Sequence, residues 1–190
     1  MKNIVASLYS RVVLSSDETI SSKFKRLVNK WACEIVGIDD CIQAAKKEFL
    51  KITDSNELIK GRSTSKDLRN ILCTVIKYGG HNEWNIVFNS IEMDNPNHNH
   101  DLFASLGCSR EPTILNSYFN LIKNSSFRQY APAIFKSVVP NQMAKLYGLQ
   151  YIFENFNLIL ENVGTSVLLT YFHELSTDFE LNIVSSFDVL

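Results

Sequence analysis

The sequence has few of the residues that interrupt helices and no excess charge of one sign. Only 7 glycines and 4 prolines are spread over its 190 residues, so long segments can stay helical. Its 19 Lys and Arg nearly balance its 20 Asp and Glu, which leaves a formal net charge of -1. Because no basic run could neutralise several phosphates, nucleic acid is not the expected partner.

Long apolar runs and common catalytic motifs are also absent from the sequence. No stretch reaches the roughly 20 apolar residues that a membrane-spanning helix needs, and the first residues lack the pattern of a secretory signal. The G-x-S-x-G nucleophile turn and the two glycine-rich nucleotide motifs do not occur. If the protein is exported, we expect its targeting signal outside this chain.

What the sequence does contain is apolar residues at helical spacing. Hydrophobic residues make up 45% and charged residues 21% of the chain, as in globular proteins. The first stripe comprises Phe24, Leu27, Val28, Trp31, Ile35 and Val36, and Gly37 is expected to end it in the left-handed conformation. The aromatic side chains expected in the core are Phe24, Trp31, Phe49, Trp84, Phe153 and Phe156.

Local signals predict the boundaries of further helices. In chain order they are Asp39 as an N-cap, the polar loop Thr53 to Ser63, a stripe from Leu68 to Ile76 that stops at Gly79-Gly80, a short helix with Trp84 to Ile91, a turn over Asp94 to Asn97, one long stripe from Leu146 to Val163 closed by Gly164, and a capping box of Thr177 with Glu180. Short connections favour antiparallel helix hairpins. We therefore predict an all-α fold, an irregular α-solenoid of HEAT/armadillo-like stacked hairpins, with residues 1–190 as a single helical domain.

Four cysteines, Cys33, Cys41, Cys73 and Cys108, are too widely spaced for a zinc ribbon. Their even number allows two disulfides, and their order suggests Cys33 with Cys41 and Cys73 with Cys108, which requires an oxidising compartment. The alternative is four reduced cysteines in a cytosolic core. Asn124 begins an N-glycosylation sequon with Ser125 and Ser126 and is a candidate glycosylation site.

The histidines do not form a recognisable catalytic motif. A zinc site of His81, His98 and His100 is conceivable, but it lacks a neighbouring carboxylate in a polar turn. His173-Glu174 begins like H-E-x-x-H, in which two imidazoles one turn apart bind zinc. Thr177 stands where the second histidine belongs. The sequence therefore predicts no catalytic and no metal-binding residue in this chain.

Six segments stand out in chain order: Trp31-Ala-Cys33, Asp40-Cys41, Asp67-Leu68-Arg69, Leu72 to Gly80 with Glu83-Trp84, Ala104 to Pro112 with Tyr118-Phe119, and Phe135 to Val139 with Tyr151 to Phe156. In this order they resemble the C-terminal helical domain of aminopeptidase N-like zinc aminopeptidases, the endoplasmic-reticulum-aminopeptidase-like C-terminal domain. The resemblance covers about Leu27 to Phe156. It implies the family's disulfides, Cys33 with Cys41 and Cys73 with Cys108.

The resemblance also implies a function without catalysis by this chain. The family's zinc motif belongs to an upstream domain, so zinc is expected in the catalytic domain of a longer parent and no cofactor is expected here. The partners implied are that catalytic domain, whose active-site chamber the helices would cap, and peptide substrates. The parent is expected in the secretory lumen or outside the cell, often membrane-anchored, with this chain as a partial domain.

A second function of a different class stays open at this point. Stacked helix hairpins commonly bind proteins along a concave surface, so the alternative is a free-standing helical-repeat scaffold for a protein partner.

Overall fold

The computed structural model describes residues 2–13, 19–55, 67–91 and 96–173. All the regular elements in these ranges are helices, and no strand occurs among them. The prediction of an all-α fold is confirmed. In the same ranges no helix is long and apolar enough to cross a membrane.

The chain divides into two compact units, Met1–Asn95 and Pro96–Leu190. The helices of the first unit are α1 (Lys2–Val12), α2 (Ser22–Lys30), a π-helical segment (Trp31–Val36), α3 (Asp39–Asp54), α4 (Leu68–Tyr78) and α5 (His81–Asn89). Those of the second are α6 (Pro96–Leu106), α7 (Pro112–Asn120), two 3-10 helices (Leu121–Lys123 and Ser125–Tyr130), α8 (Ala131–Val138), α9 (Gln142–Glu154), α10 (Phe156–Val163) and α11 (Thr165–His173). The single domain over residues 1–190 stays a prediction.

Apolar side chains of the first unit are buried on α3, α4 and α5. A further buried cluster lies between α1, α2, the π-helical segment and α3. Its buried members are Val5, Tyr9, Val12, Val28, Ala32, Cys33 and Cys41. The spacing of Val5, Tyr9 and Val12 places them on one face of α1, because residues three and four apart share a helix face.

The buried face of α2 is not the one that the apolar stripe predicts. Val28 is buried, but Phe24, Leu27, Trp31 and Ile35 are exposed to 45%, 48%, 48% and 60%. The expectation that Phe24 and Trp31 lie in the core is therefore wrong, whereas Phe49 and Trp84 are buried as expected. Periodicity identifies an apolar face but not what covers it, and the neighbouring helices pack on the side of Val28 and Ala32.

Several predicted boundaries agree with the structure, and others need correction: α3 continues to Asp54, past the predicted loop start at Thr53, and α5 ends at Asn89, before Ile91. Gly37 has φ 72°, the left-handed conformation predicted for the end of the first stripe. The N-cap of α3 is Ile38, so Asp39 is the first helical residue instead of the cap. Pro96 does not lie in a turn but begins α6, since proline needs no N–H partner in the first turn of a helix. The final capping box lies outside the described residues.

The long stripe predicted from Leu146 to Val163 is two helices. The break falls at Asn155, whose φ of -130° and ψ of 31° are not helical. Beyond the break Ile159 and Val163 are buried, while Phe156 is 48% exposed, contrary to its expected place in the core. The Asn155 side chain donates to the Tyr151 carbonyl at 3.0 Å, which competes with continuation of the helix. Gly164 closes α10 as predicted, with φ 80°.

The core of the second unit is built around aromatic rings. Phe103 stacks on Tyr130 with ring centroids 4.3 Å apart, and Phe119 stacks on Tyr151 at 5.4 Å. Phe135 meets Tyr171 edge-on at 5.7 Å. Both stacked and edge-on geometries suit the charge distribution of aromatic rings.

Most contacts in the second unit link helices that are next to each other or one apart in sequence, and α8 also packs on α11. α8 packs on α9, and α10 packs on α9 and α11. α6 also packs on α8, and α7 on α9. Contacts between every second helix are those that stacked hairpins make, so the packing is compatible with the predicted solenoid.

Candidate functional site

The turn between the π-helical segment and α3 is held by a disulfide. Cys33 is joined to Cys41, with Cα atoms 5.3 Å apart, within the range that a disulfide spans. The left-handed Gly37 lets the chain reverse direction between them. Asn29 Oδ1 lies 3.2 Å from the Cys41 sulfur on the inner side of the turn.

Cys73 and Cys108 are also disulfide-bonded, and no free cysteine occurs among the described residues. Cys73 lies in the middle of α4, and Cys108 follows the end of α6. The protein thus holds all four cysteines in oxidised form, in contrast to the alternative of reduced cysteines in a core.

The turn around Cys108 is fixed by a side chain that the sequence did not single out. Asn141 is the N-cap of α9, and its Oδ1 accepts a hydrogen bond from the Ala144 backbone. The Nδ2 atom of the same side chain donates to the carbonyls of Gly107 and Ser109 at 3.1 and 2.7 Å. An asparagine directly before a helix signals a cap, but its second role depends on the packing of α9 against this turn.

A cavity of about 350 Å³ adjoins the Cys33–Cys41 disulfide. Its lining is mostly polar or small: Asn29, Ala44, Ala45, Glu48, Asp67, Asn70, Ile71 and Thr74. The Thr74 side chain is fully buried, and no hydrogen-bond partner for its hydroxyl occurs in the described part of the chain. Glu48 at the cavity pairs with Lys51 at 2.9 Å, one turn along α3. The volume suits a small ligand, but the lining lacks the apolar surface that ligand pockets usually have.

Glu34 of the π-helical segment is the carboxylate with a perturbed environment. Its pKa is raised by burial, and the positive charges of Lys30, Lys77 and Arg69 oppose that effect. Lys77 Nζ donates a hydrogen bond to the Glu34 backbone carbonyl. The contact ties α4 to the π-helical segment, so Glu34 belongs to the packing of this unit.

Two of the three histidines considered for a metal site have described side chains, and both are exposed. His81 is exposed at the start of α5, and His100 is exposed on α6. The side chain of His98 and the residue Glu174 lie outside the described residues. Across the ranges that the structure describes, no group of three or more His, Cys, Asp or Glu side chains is close enough to hold a metal ion.

Asn124 lies in an exposed turn between the two 3-10 helices. Its Oδ1 accepts a hydrogen bond from the Ser126 backbone N–H at 3.0 Å, while Asn124, Ser125 and Ser126 are all exposed. This geometry brings the first and third residues of the sequon together and leaves the amide accessible.

The sequence profile of the ERAP1-like C-terminal domain matches residues 1–187. The chain belongs to this family. The match includes both compact units, and the resemblance noted from the six segments is confirmed.

Individual relatives are aminopeptidases. The chain is 24% identical to human aminopeptidase Q over 192 residues, which cover 94% of the chain and 19% of the relative. It is 26% identical to aminopeptidase N of the dog over 126 residues, covering 62% of the chain and 13% of the relative. It is 23% identical to rat aminopeptidase N over 164 residues, which cover 80% of the chain and 16% of the relative. The chain thus spans about a fifth or less of the length of these curated relatives.

Proposed function

We propose that this chain is a noncatalytic C-terminal domain of a zinc-dependent aminopeptidase. The parent removes N-terminal residues from peptides, and this domain covers the active-site chamber and contacts the peptide substrate. The observation that carries the proposal is the family match over residues 1–187, together with relatives that are aminopeptidases. The sequence supports the noncatalytic role, since the only H-E pair, His173-Glu174, lacks the second histidine of H-E-x-x-H.

Zinc belongs to the catalytic part of the parent in this proposal. A catalytic zinc needs three protein ligands and an open position for water. In the part of the chain that the structure describes, no three suitable side chains lie close together. The proposal places the zinc ligands and the steps of hydrolysis in the catalytic part of the parent.

The test compares the chain alone with the chain joined to its catalytic part. We expect the purified chain to release no N-terminal residue from aminoacyl substrates or peptides with zinc added. The parent should cleave peptides, and its preference for peptide length should change when this domain is removed. Zinc-dependent cleavage by the isolated chain would contradict the proposal, provided that the activity copurifies with the chain.

We further propose that the domain resides in the secretory lumen or outside the cell and carries a glycan on Asn124. In glycosylation the Asn124 amide nitrogen forms a bond to the sugar C1 of a lipid-linked oligosaccharide diphosphate. The C1–O bond to the diphosphate breaks, and the amide loses a proton. The exposed turn and the Asn124–Ser126 hydrogen bond support this site, as does the oxidised state of the cysteines.

Expression in the secretory pathway with an added signal peptide tests the glycan. We expect a mass decrease on treatment with an amidase that removes N-glycans, which Asn124→Gln and Ser126→Ala abolish and Ser125→Ala retains. Ser125→Ala is the matched control because the middle residue of the sequon needs no hydroxyl. A secreted chain without glycan at Asn124 would refute the site.

The alternative function is a free-standing scaffold that binds a protein partner. The exposed apolar side chains of α2 favour some protein contact. A transcript that encodes this chain without any catalytic part would support the scaffold. A transcript that encodes H-E-x-x-H upstream and in frame would support the peptidase.

A further inference from the structure

The first helix hairpin exposes an unusual share of the large apolar side chains. Among the described residues eleven are both large and exposed, and six of these lie on α1, α2 or the π-helical segment. They are Ile4, Leu8, Phe24, Leu27, Trp31 and Ile35. The remaining five are distributed over α3, α9, α10 and α11.

Four of these side chains form one continuous face, which we call the α2 face: Phe24, Leu27, Trp31 and Ile35. They are spaced three, four and four residues apart, so they lie on one side of the helix. Each is between 45% and 60% exposed. The adjoining side of the helix packs on the buried cluster through Val28 and Ala32. The α2 face is therefore not needed for the folding of this unit.

Positive charge accompanies the α2 face. The helix Ser22–Lys30 carries four basic residues and no acidic residue, and the one acidic residue of the π-helical segment that continues it, Glu34, is partly buried. Lys23 and Lys30 are exposed next to the apolar side chains. A helix that complements this face has an apolar stripe flanked by aspartate or glutamate, because opposite charges at the rim set the partner and the orientation.

The physics of stacked helices indicates where such a partner comes from. The terminal unit of a helical stack needs a polar outer surface to remain soluble, and an apolar outer surface is covered by the next unit. The α2 face is apolar. The relatives contain more than four fifths of their length outside the region that this chain matches, since it covers 19% of aminopeptidase Q.

We propose that the α2 face docks a helix of the parent aminopeptidase that lies outside these 190 residues and presents an apolar stripe flanked by acidic side chains. This inference rests on the proposed function, because it requires a longer parent. It adds the residues through which this domain is attached to the remainder of the enzyme.

The test places the same substitutions in the isolated chain and in the full-length parent. Leu27→Gln with Ile35→Gln removes two apolar side chains from the face, and Leu50→Gln is the matched control, since Leu50 is 59% exposed on α3. In the isolated chain we expect all variants to melt at the wild-type temperature. In the parent we expect the double variant to lower the melting temperature of this domain by about 5 °C or more, with no change for Leu50→Gln.

The proposal would be overturned if, in the full-length parent, the double variant and Leu50→Gln had the same melting temperature. Trp31 supplies a second measurement, because the other tryptophan, Trp84, is buried and can be replaced in Trp84→Phe. If the Trp31 emission of the isolated Trp84→Phe chain shifts to the blue on vesicles of phosphatidylcholine and phosphatidylserine, and the parent is insensitive to the double variant, the face binds membranes and the proposal is wrong. Peptide cleavage by the wild-type parent is measured independently of the melting temperatures and of the Trp31 emission. A parent that cleaves no peptide would therefore refute the proposed function without deciding whether the α2 face docks a helix.

Discussion

The carboxyl group of Glu34 illustrates how a single side chain links packing to pH. Burial raises its pKa above the ordinary value of 4.5, although three basic side chains act in the opposite direction. A raised pKa in the folded state means that the folded protein holds the proton more tightly than the unfolded chain. The associated stability is present at low pH and is lost as the pH rises through the folded pKa.

Replacing Glu34 by glutamine is expected to raise the melting temperature more at pH 7 than at pH 3, because ionisation of the buried carboxyl costs the wild type stability as the pH rises. The gain in melting temperature should disappear below about pH 4, because the Glu34 carboxyl of the wild type is then protonated and is as uncharged as the glutamine of the variant. Thermal unfolding from pH 3 to pH 8 measures the difference. Glu48→Gln is the control on an exposed carboxylate. An equal effect of Glu34→Gln at pH 3 and pH 7 would contradict the assigned cause.

Tyr118 connects three helices by one buried hydroxyl. It donates to the Phe103 carbonyl at 2.6 Å and lies 2.8 Å from Ser137 Oγ. We expect Tyr118→Phe to cost about 1 to 2 kcal/mol in the free energy of unfolding, because buried polar atoms lose their partner. Urea titration measures the loss, with Tyr147→Phe on a partly exposed ring as the control. A loss no larger than that of the control would show that water replaces the hydroxyl.

At the scale of the elements, the first unit depends on the connection between the π-helical segment and α3. Cys33 and Cys41 are eight residues apart, and Gly37 supplies the reversal between them. A disulfide that closes so short a loop restricts the unfolded chain and holds the two helices at one angle.

The double variant Cys33→Ala with Cys41→Ala is therefore expected to lower the free energy of unfolding by about 2 to 4 kcal/mol. Denaturant titration against the oxidised wild-type chain measures the loss. The wild-type chain with its disulfides reduced serves as the second reference. Its free energy of unfolding should approach that of the double variant. If the oxidised wild type and the double variant unfold at the same denaturant concentration, the disulfide does not stabilise this turn.

At the scale of the whole molecule, oxidation involves both compact units, since Cys73 lies in the first and Cys108 in the second. We predict that mass spectrometry without reduction finds the tryptic peptide Asn70–Lys77 joined to Tyr78–Arg110. Cys33 and Cys41 share the peptide Trp31–Lys46, so a second cleavage at Asp39 or Asp40 is needed to observe their crosslink. Peptides that carry free thiols, from protein made in an oxidising compartment, would contradict both pairs.

The predictions for the α2 face and for Leu146 to Val163 show where sequence patterns reach their limit. The spacing of Phe24, Leu27 and Trp31 identifies an apolar side of a helix, but the same pattern arises whether that side meets this chain or another part of the protein. The stripe to Val163 continues through Asn155 in the sequence, and only the backbone there reveals the break. Asn141 likewise reads as a cap, and its contact with the Cys108 turn depends on packing.

The sequence by itself determined the helical class, the helix ends at Gly37 and Gly164, and the family, because these depend on local spacing and on motifs in a fixed order. The tertiary structure decided which apolar face is buried, where the long stripe divides, and which side chains support the cysteine turns. Burial and long-range hydrogen bonds depend on residues far apart in the chain, and no local pattern carries that information.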